Sequence, residues 1–227
     1  MSRSAPVAAF KDFCIDANDP RLLGEFWGAA LGLSCAMQDG GDAYLSGPTA
    51  QHRVWINGVG EPKTVKHRMH LDIWCSDVGD LIALGADVVD DTSFRWTVMS
   101  DPEGGEFCAF VRPDPPQYRL MELNFDCSSD HVEIASWWAG VLGGRVETDP
   151  EGFSAVADVP GAPFGSMVFG PVPERKTAKN RVHIDVTATS IDALMAQGAT
   201  VLRPPDSEIS WTVMADPEGN EFCAFVS

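Results

Sequence analysis

The chain alternates between short segments with a hydrophobic period of two and a few longer segments with a helical period. Residues 10–17 alternate apolar and polar positions, which is typical of a half-buried strand. An apolar stripe at helical spacing over residues 22–31 predicts a helix. Asp19 suits the N-cap of that helix, Pro20 its first position and Gly32 its end. The chain therefore opens with a strand followed by a helix.

Shorter apolar runs follow this pair and predict strands, with one short helix over 78–84 before Gly85. Residues 101–104 read Asp-Pro-Glu-Gly, a good turn between the last two strands of this half. The same order recurs later, with helices expected over 130–142 and 191–197. The strands predicted in the first half after residue 32 are 33–37, 43–45, 54–56, 68–73, 87–90, 96–99 and 106–111.

The chain contains an internal repeat. Residues 96–111 read WTVMSDPEGGEFCAFV and residues 211–226 read WTVMADPEGNEFCAFV, so only two positions differ. The match continues upstream, where RMHLD at 68–72 corresponds to RVHID at 181–185. A Pro-rich stretch at 113–116 cannot continue a strand and separates the copies. We predict two domains, residues 8–113 and 118–227.

Composition narrows the class of partner. The formal net charge is −17, with 33 acidic and 16 basic residues. Such a charge disfavours nucleic acid and anionic membrane surfaces and favours a metal ion or a cationic ligand, although it also serves solubility. Residues 1–9 hold no apolar run long enough for a signal peptide, and no segment suits a membrane span, so we expect a cytoplasmic protein. The six cysteines lack a disulfide framework and are expected to be reduced and buried.

Strand periodicity sorts the polar residues onto one face. In the strand around residue 70, His70 and Asp72 point away from the face of its apolar neighbours. The second copy repeats this with His183 and Asp185. Each half is therefore predicted to present one imidazole and several carboxylates on the concave side of a sheet, where a ligand can be enclosed.

Three motifs occur in the same order in each half: a helix ending in FWxxxLG or WWxxxLG, an RxHxD strand and a DPEGxEF hairpin. Together they resemble the glyoxalase-like branch of the vicinal oxygen chelate superfamily, over almost the whole chain. The resemblance implies an α+β fold of tandem glyoxalase-like domains, each built of two βαβββ modules that form an open curved barrel.

The resemblance also implies a metal site from the first strands and the last strand of each half. The matching positions are Asp12, His70 and Glu106 in the first half and Glu122, His183 and Glu221 in the second. Many metal-binding members carry His at the first position, whereas this chain has Asp12 or Glu122. One histidine with two carboxylates suits a divalent ion, Fe, Mn, Ni or Zn. The alternative is that the histidines are hydrogen-bonded in a polar core and that the last-strand glutamates are merely solvated.

Further residues complete the predicted sites. Asp72 and Asp185 are candidates for orienting the histidine or acting as a base, together with Glu106 and Glu221, or they share a salt-bridge network with Arg68 and Arg181. Cys108 and Cys223 occupy cavity-side positions, but no neighbour predicts a depressed pKa, so neither is assigned as a nucleophile. The candidate substrate-binding residues are Trp96, Trp211, Arg68 and Arg181, with core packing as the alternative for the tryptophans.

Two functions follow from the resemblance. The first is a divalent-metal-dependent lyase, isomerase or dioxygenase that acts on a small oxygenated molecule and carries two similar sites per chain. The second is a metal-free protein that binds a drug or metabolite, as bleomycin-resistance relatives do. In both cases the partner is a small molecule rather than nucleic acid or a membrane, and the chain is a monomer or a homodimer.

Overall fold

A computed structural model describes residues 5–226; residues 1–4, part of the segment searched for a leader, and Ser227, the last residue assigned to the second copy, lie outside that range. The described part forms four consecutive modules, and modules 1 and 2 make up the first half. Module 1 comprises β1 (Ala8–Ala17), α1 (Pro20–Leu31), β2 (Ser34–Met37), β3 (Ala43–Ser46), a 3-10 turn (Ala50–His52) and β4 (Val54–Gly58). Module 2 comprises β5 (Met69–Cys75), α2 (Val78–Ala83), β6 (Asp87–Asp90), β7 (Thr97–Ser100) and β8 (Glu106–Val111).

The second half repeats this order. Module 3 comprises β9 (Leu120–Cys127), α3 (His131–Leu142), β10 (Arg145–Thr148), β11 (Ser154–Ala157) and β12 (Ser166–Pro171). Module 4 comprises β13 (Val182–Ala188), α4 (Ile191–Ala196), β14 (Thr200–Arg203), β15 (Thr212–Ala215) and β16 (Glu221–Val226). Every module is therefore a βαβββ unit.

The ends of the long helices follow from local chemistry. The Asp19 side chain accepts a hydrogen bond from the Leu22 amide at 3.0 Å and caps α1. Gly32 ends this helix in the left-handed region at φ 72°, which glycine adopts without a steric penalty. Asp130 and Gly143 do the same for α3. The predicted caps of the first helix are confirmed.

The strands form two eight-stranded sheets. The order is β14-β15-β16-β13-β1-β4-β3-β2 in the first sheet and β10-β11-β12-β9-β5-β8-β7-β6 in the second. The predicted α+β class is confirmed. Each sheet takes one module from each half of the chain, since modules 1 and 4 form the first sheet and modules 2 and 3 the second. The halves are thus joined by continuous backbone pairing, β1 with β13 and β5 with β9.

The helices pack the two sheets together. Trp27 of α1 lies against Phe107 of β8 with ring centroids 5.1 Å apart, and Trp138 of α3 lies against Phe222 of β16 at 5.4 Å. The buried indole of Trp27 donates to Asp101 at 3.2 Å, as the indole of Trp138 does to its equivalent in the second half at 3.1 Å. Within each half, the helix-covered faces of the two modules therefore pack against each other. The opposite faces of the sheets remain available for sites.

Two further predictions concern the whole chain. All six cysteines are free, and five are buried as predicted, while Cys35 is exposed. Among residues 5–226 no helix has the length and apolar character needed to cross a membrane.

Candidate functional site

The polar faces of the central strands form two separate clusters, one in each sheet. In the first sheet Asp12 of β1 lies opposite Asp185 of β13, and in the second sheet Glu122 of β9 lies opposite Asp72 of β5. We call these clusters the first site, with Asp12, Cys14, His183, Asp185 and Cys223, and the second site, with His70, Asp72, Cys108, Glu122 and Asn124.

This corrects the grouping of the predicted ligands by sequence half. Asp12 lies with His183 rather than His70, and Glu122 lies with His70 rather than His183. The physical reason is the pairing of β1 with β13 and of β9 with β5, which exchanges the first strands between the halves.

The second site lies in a cavity of about 720 Å³. His70, Asp72 and Cys108 are 7%, 4% and 7% exposed and line it from β5 and β8. The Nδ1 atom of His70 lies 3.0 Å from Oδ1 of Asp72, but both atoms lack a hydrogen bond of good geometry. The equivalent atoms of His183 and Asp185 in the first site also lack such a bond, so both sites share this feature.

Electrostatics differ among the groups of the second site. Burial lowers the pKa of His70, but the neighbouring Asp72 carboxylate outweighs it, so the pKa of His70 is raised. Burial, followed by the charge of Asp72, raises the pKa of Glu122 even though Ser166 donates to its Oε1 at 2.6 Å. Burial and Asp72 also raise the pKa of the Cys108 thiol. The surroundings thus favour the protonated forms of His70, Glu122 and Cys108.

The first site has a similar set of potential metal ligands, but different residues surround it. The Sγ of Cys14 lies 3.7 Å from Oδ2 of Asp185, and the Sγ of Cys223 lies 3.6 Å from Nε2 of His183. Burial lowers the pKa of His183. Burial, followed by the charge of Asp12, raises the pKa of Asp185 to about 8.

Two side chains of the protein, Lys11 and Trp55, contact the Asp12 carboxylate of the first site. The Lys11 ammonium lies 2.7 Å from Oδ2 of Asp12 and 3.8 Å from Oδ2 of Asp185. The indole of Trp55 on β4 donates to the same Asp12 oxygen at 3.3 Å. The first site therefore already contains a cation and an aromatic ring.

The predicted ligands Glu106 and Glu221 are engaged with the loops that precede β5 and β13. Glu106 accepts from Lys63 at 2.9 Å and from the His67 amide at 3.0 Å. Burial opposes ionisation of Glu106, but these hydrogen bonds outweigh it and lower its pKa. Glu221 accepts from Lys176 at 2.6 Å and from the amide of residue 180 at 3.1 Å. Both carboxylates thus hold a loop against the last strand of a module, although Glu106 also lines the cavity.

The predicted substrate-binding residues fall into two groups. Trp96 lines the large cavity and stacks on Phe110 with centroids 5.3 Å apart, and Trp211 stacks on Phe225 at 5.5 Å in the first sheet. Arg68 and Arg181 line a smaller cavity of about 240 Å³ between the loops.

Neither arginine forms the network considered for Asp72 and Asp185. Arg68 donates to the backbone oxygen of Glu174 at 2.7 Å, and Arg181 donates to the backbone oxygen of Glu61 at 2.8 Å. Each arginine therefore bridges the two halves.

The second site has a donor set that fits a divalent metal. One nitrogen of His70, one oxygen of Asp72 and the Sγ of Cys108 all lie within 4.8 Å of one another. Ligand atoms around tetrahedral zinc are about 3.3–3.8 Å apart, so a small movement of these side chains would complete the geometry. Cys14, His183 and Asp185 form a comparable group in the first site. Strand alternation predicts that Glu106 and Cys108 of β8 share one face. The sequence could not show that Lys63 forms an ion pair with Glu106.

The comparisons with known proteins agree with this architecture. The family model of the glyoxalase-like domain matches residues 12–110 and again residues 122–225. The chain belongs to the glyoxalase-like domain family, with two copies in tandem. A search of curated proteins found no match.

Solved structures with the same fold cover nearly the whole chain. Glyoxalase I from Zea mays aligns over 96% of this chain and 92% of its own, with 13% identity and a TM-score of 0.66. A putative dioxygenase from Bacillus subtilis aligns over 98% and 86%, with 10% identity and a TM-score of 0.66. The cppA protein from Streptococcus pneumoniae aligns over 95% and 97%, with 9% identity and a TM-score of 0.51. At these identities the likeness shows a shared fold.

Proposed function

We propose that the chain is a divalent-metal-dependent enzyme that acts on a small oxygenated molecule in the cavity of the second site. The observation that carries the proposal is the convergence of His70, Asp72 and Cys108 within 4.8 Å at the wall of a cavity of about 720 Å³. The unpartnered buried atoms of His70 and Asp72 support it, because a bound ion would satisfy both. A thiolate donor favours zinc among the metals considered.

The protein groups around this ion have separate tasks. His70, Asp72 and Cys108 would hold the metal, which when bound supplies a Lewis acid for oxygen atoms of the substrate. Glu122 is suited to move a proton at its Oε2 atom, since Ser166 occupies Oε1 and burial raises its pKa. Trp96 and Phe110 form an aromatic wall that excludes water from one side of the cavity.

Metal titration tests the proposal. Chelator-treated protein is titrated with zinc by calorimetry, and the metal content of reloaded, desalted protein is measured by mass spectrometry. We expect one equivalent per chain, because Lys11 already neutralises the carboxylates of the first site. His70→Ala and Cys108→Ser should lose the metal, whereas the matched variants His183→Ala and Cys223→Ser should retain it. Wild-type protein that binds no metal, or loss confined to the first-site variants, would contradict the proposal.

Substrate class is tested separately from metal content. A panel of dicarbonyls and catechols is screened by thermal shift with metal-loaded and chelator-treated protein, since a ligand of the native state raises the melting temperature. We expect stabilisation that depends on the metal, and then turnover of the stabilising compound.

A second candidate is a metal-free binding protein, and the wall of the cavity favours it. Phe94, Trp96 and Phe110 stack in series, with centroids 5.0 Å and 5.3 Å apart. Phe94 is 52% exposed and lines the cavity, so its ring is accessible to a ligand there. For this candidate we expect the same thermal shifts with and without chelator, and no turnover.

A further inference from the structure

Lys11 and Met121 occupy equivalent positions in the two sites. Lys11 lies in β1 immediately before Asp12, and Met121 lies in β9 immediately before Glu122. Each also falls at an irregularity in strand pairing, because the register skips Lys11 between β1 and β13 and skips Met121 between β9 and β5. A bulge of this kind turns the extra side chain toward the neighbouring face of the strand. The equivalent positions thus carry a lysine in the first sheet and a methionine in the second.

In the first site, the lysine at this bulge contacts acidic and aromatic side chains. The ammonium of Lys11 pairs with Asp12 and Asp185 and lies 4.3 Å from the centroid of the Phe225 ring. The indole of Trp55 lies beside it and shares the Asp12 oxygen. An ammonium and an aromatic N–H group therefore meet at one buried carboxylate, over an aromatic ring.

The second site has equivalent acidic and aromatic residues, but other side chains stand at the positions of Lys11 and Trp55. Glu122, Asp72 and Phe110 stand where the first site has Asp12, Asp185 and Phe225. Lys11 is replaced by Met121, and Trp55 by Val168, since Trp55 pairs with Cys14 just as Val168 pairs with Asn124.

The carboxylates of the second site face the cavity. Asp72 and Glu122 both line it, and Oδ1 of Asp72 lies 3.0 Å from Nδ1 of His70. The two cations of the cavity lining are already paired, Lys66 with Asp126 at 2.7 Å and Arg95 with Glu151 at 3.6 Å. Carboxylates outnumber cations among the lining residues, so the cavity favours a positively charged guest.

We infer that the second site binds an aryl-alkyl ammonium compound, whose ammonium takes the place of the Lys11 ammonium and whose ring takes the place of the Trp55 indole. The ammonium pairs with Glu122 and lies over Phe110, and the ring fills the space above Val168. The inference rests on the proposed function for one point, that this cavity receives the substrate.

The probe is tryptamine, measured by calorimetry with the full chain in metal-loaded and in chelator-treated form. Indole lacks the ammonium, butylamine lacks the ring and indole-3-propionate carries the opposite charge. We expect tryptamine to bind about tenfold or more tightly than indole or butylamine, and indole-3-propionate not to bind. Equal binding of indole or butylamine, or no binding of tryptamine, would overturn the inference.

Substitutions locate the binding. Met121→Lys supplies an internal ammonium and Val168→Trp an internal ring, so each should weaken tryptamine binding about tenfold or more. Glu122→Gln removes the ion-pair partner and should do the same if either of those variants fails to fold. Met121→Leu is the matched control and should bind like wild type. The double variant Lys11→Met, Trp55→Val should gain a second binding event in the first site. Binding that survives Met121→Lys, Val168→Trp and Glu122→Gln would place the guest elsewhere and refute the assignment.

The two proposals fail in different ways. Metal uptake without tryptamine binding would overturn only the ligand class, and tryptamine binding by a protein that takes up no metal would overturn only the metal-dependent enzyme.

Discussion

The first and second sites carry the same histidine, aspartate and cysteine on equivalent strands: His183, Asp185 and Cys223 in one, His70, Asp72 and Cys108 in the other. They differ at the neighbouring positions. Lys11 and Trp55 contact the carboxylate of the first site, whereas Met121 and Val168 stand at these places in the second, which lies in the large cavity. The duplication has kept the reactive side chains and changed what covers them.

The set of donor side chains alone therefore does not define a site in this fold. In the first site Lys11 and Trp55 contact the Asp12 carboxylate, whereas Glu122 of the second site accepts from Ser166 and lines the large cavity. We therefore expect substitutions that exchange the covering residues to exchange the properties of the two sites.

The largest effect is expected from Lys11→Met. It removes the cation from Asp12 and Asp185, which are 4% and 3% exposed, and should cost about 2–3 kcal/mol of unfolding free energy, somewhat below a fully buried pair because Lys11 is partly exposed. Burial and Asp12 raise the pKa of Asp185 to about 8. A raised pKa means that Asp185 lowers stability as the pH rises from its unfolded value to about 8, so the loss should be larger at about pH 9 than at about pH 6.

The measurement is urea unfolding at both pH values. The control is Met121→Lys, which places a cation beside Glu122 and Asp72 and should stabilise the protein by about 1 kcal/mol. Equal responses of the two variants would mean that the covering residues do not distinguish the sites.

The next effect concerns the aromatic cover. Trp55→Val removes a half-buried indole and its hydrogen bond to Asp12, so we expect a loss of about 2 kcal/mol. Val168→Trp adds the ring to an existing cavity and should change stability by no more than about 1 kcal/mol. Urea unfolding of both variants checks this. A severe loss in Val168→Trp would show that the space above Val168 is not available to a ring.

Much of this arrangement could be predicted from the sequence, because it depends on local periodicity. The period of two placed His70 with Asp72 on one face, and the helix signals at Asp19 and Gly32 gave the ends of α1. The internal repeat gave the number of copies. These features depend on residues close together in the chain, and the structure confirms them.

The pairing of distant strands could not be predicted in the same way. Nothing in residues 8–17 shows that β1 pairs with β13, so Asp12 was grouped with His70 instead of His183. The role of Lys11 was missed for the same reason, since its contacts with Asp185 and Phe225 span more than half of the chain. One signal was present, since Lys11 and Met121 differ at an equivalent position beside the predicted ligands.

A smaller effect is expected from Glu106→Gln and its counterpart Glu221→Gln. Each carboxylate holds a lysine and a backbone amide, so each substitution should cost about 1 kcal/mol through weakened charged hydrogen bonds. We expect metal content to be unchanged in both, because Cys108 rather than Glu106 lies in the donor group with His70. Urea unfolding and elemental analysis decide between this clamp and a ligand role. Metal loss in Glu106→Gln with metal retained in Glu221→Gln would restore Glu106 as a ligand of the second site.

The smallest effect, and the most direct comparison of the sites, is the titration of the two equivalent histidines in metal-free protein. Asp72 lies 3.0 Å from His70 and raises its pKa despite burial, whereas burial lowers the pKa of His183, whose Asp185 is 3.8 Å away and itself inclined to hold a proton. His70 therefore contributes stability that is present below its unfolded pKa and is lost as the pH rises through its folded pKa. His183 acts in the opposite sense, since its neutral form is buried and the protein loses stability as the pH falls below the unfolded pKa of this histidine.

NMR titration of the imidazole signals should show the pKa of His70 above and that of His183 below the ordinary value of about 6.5. Asp72→Asn should lower the pKa of His70 and leave that of His183 unchanged. If both histidines titrate together, the two sites share one electrostatic environment and the contrast between a filled and an open site does not extend to their charges.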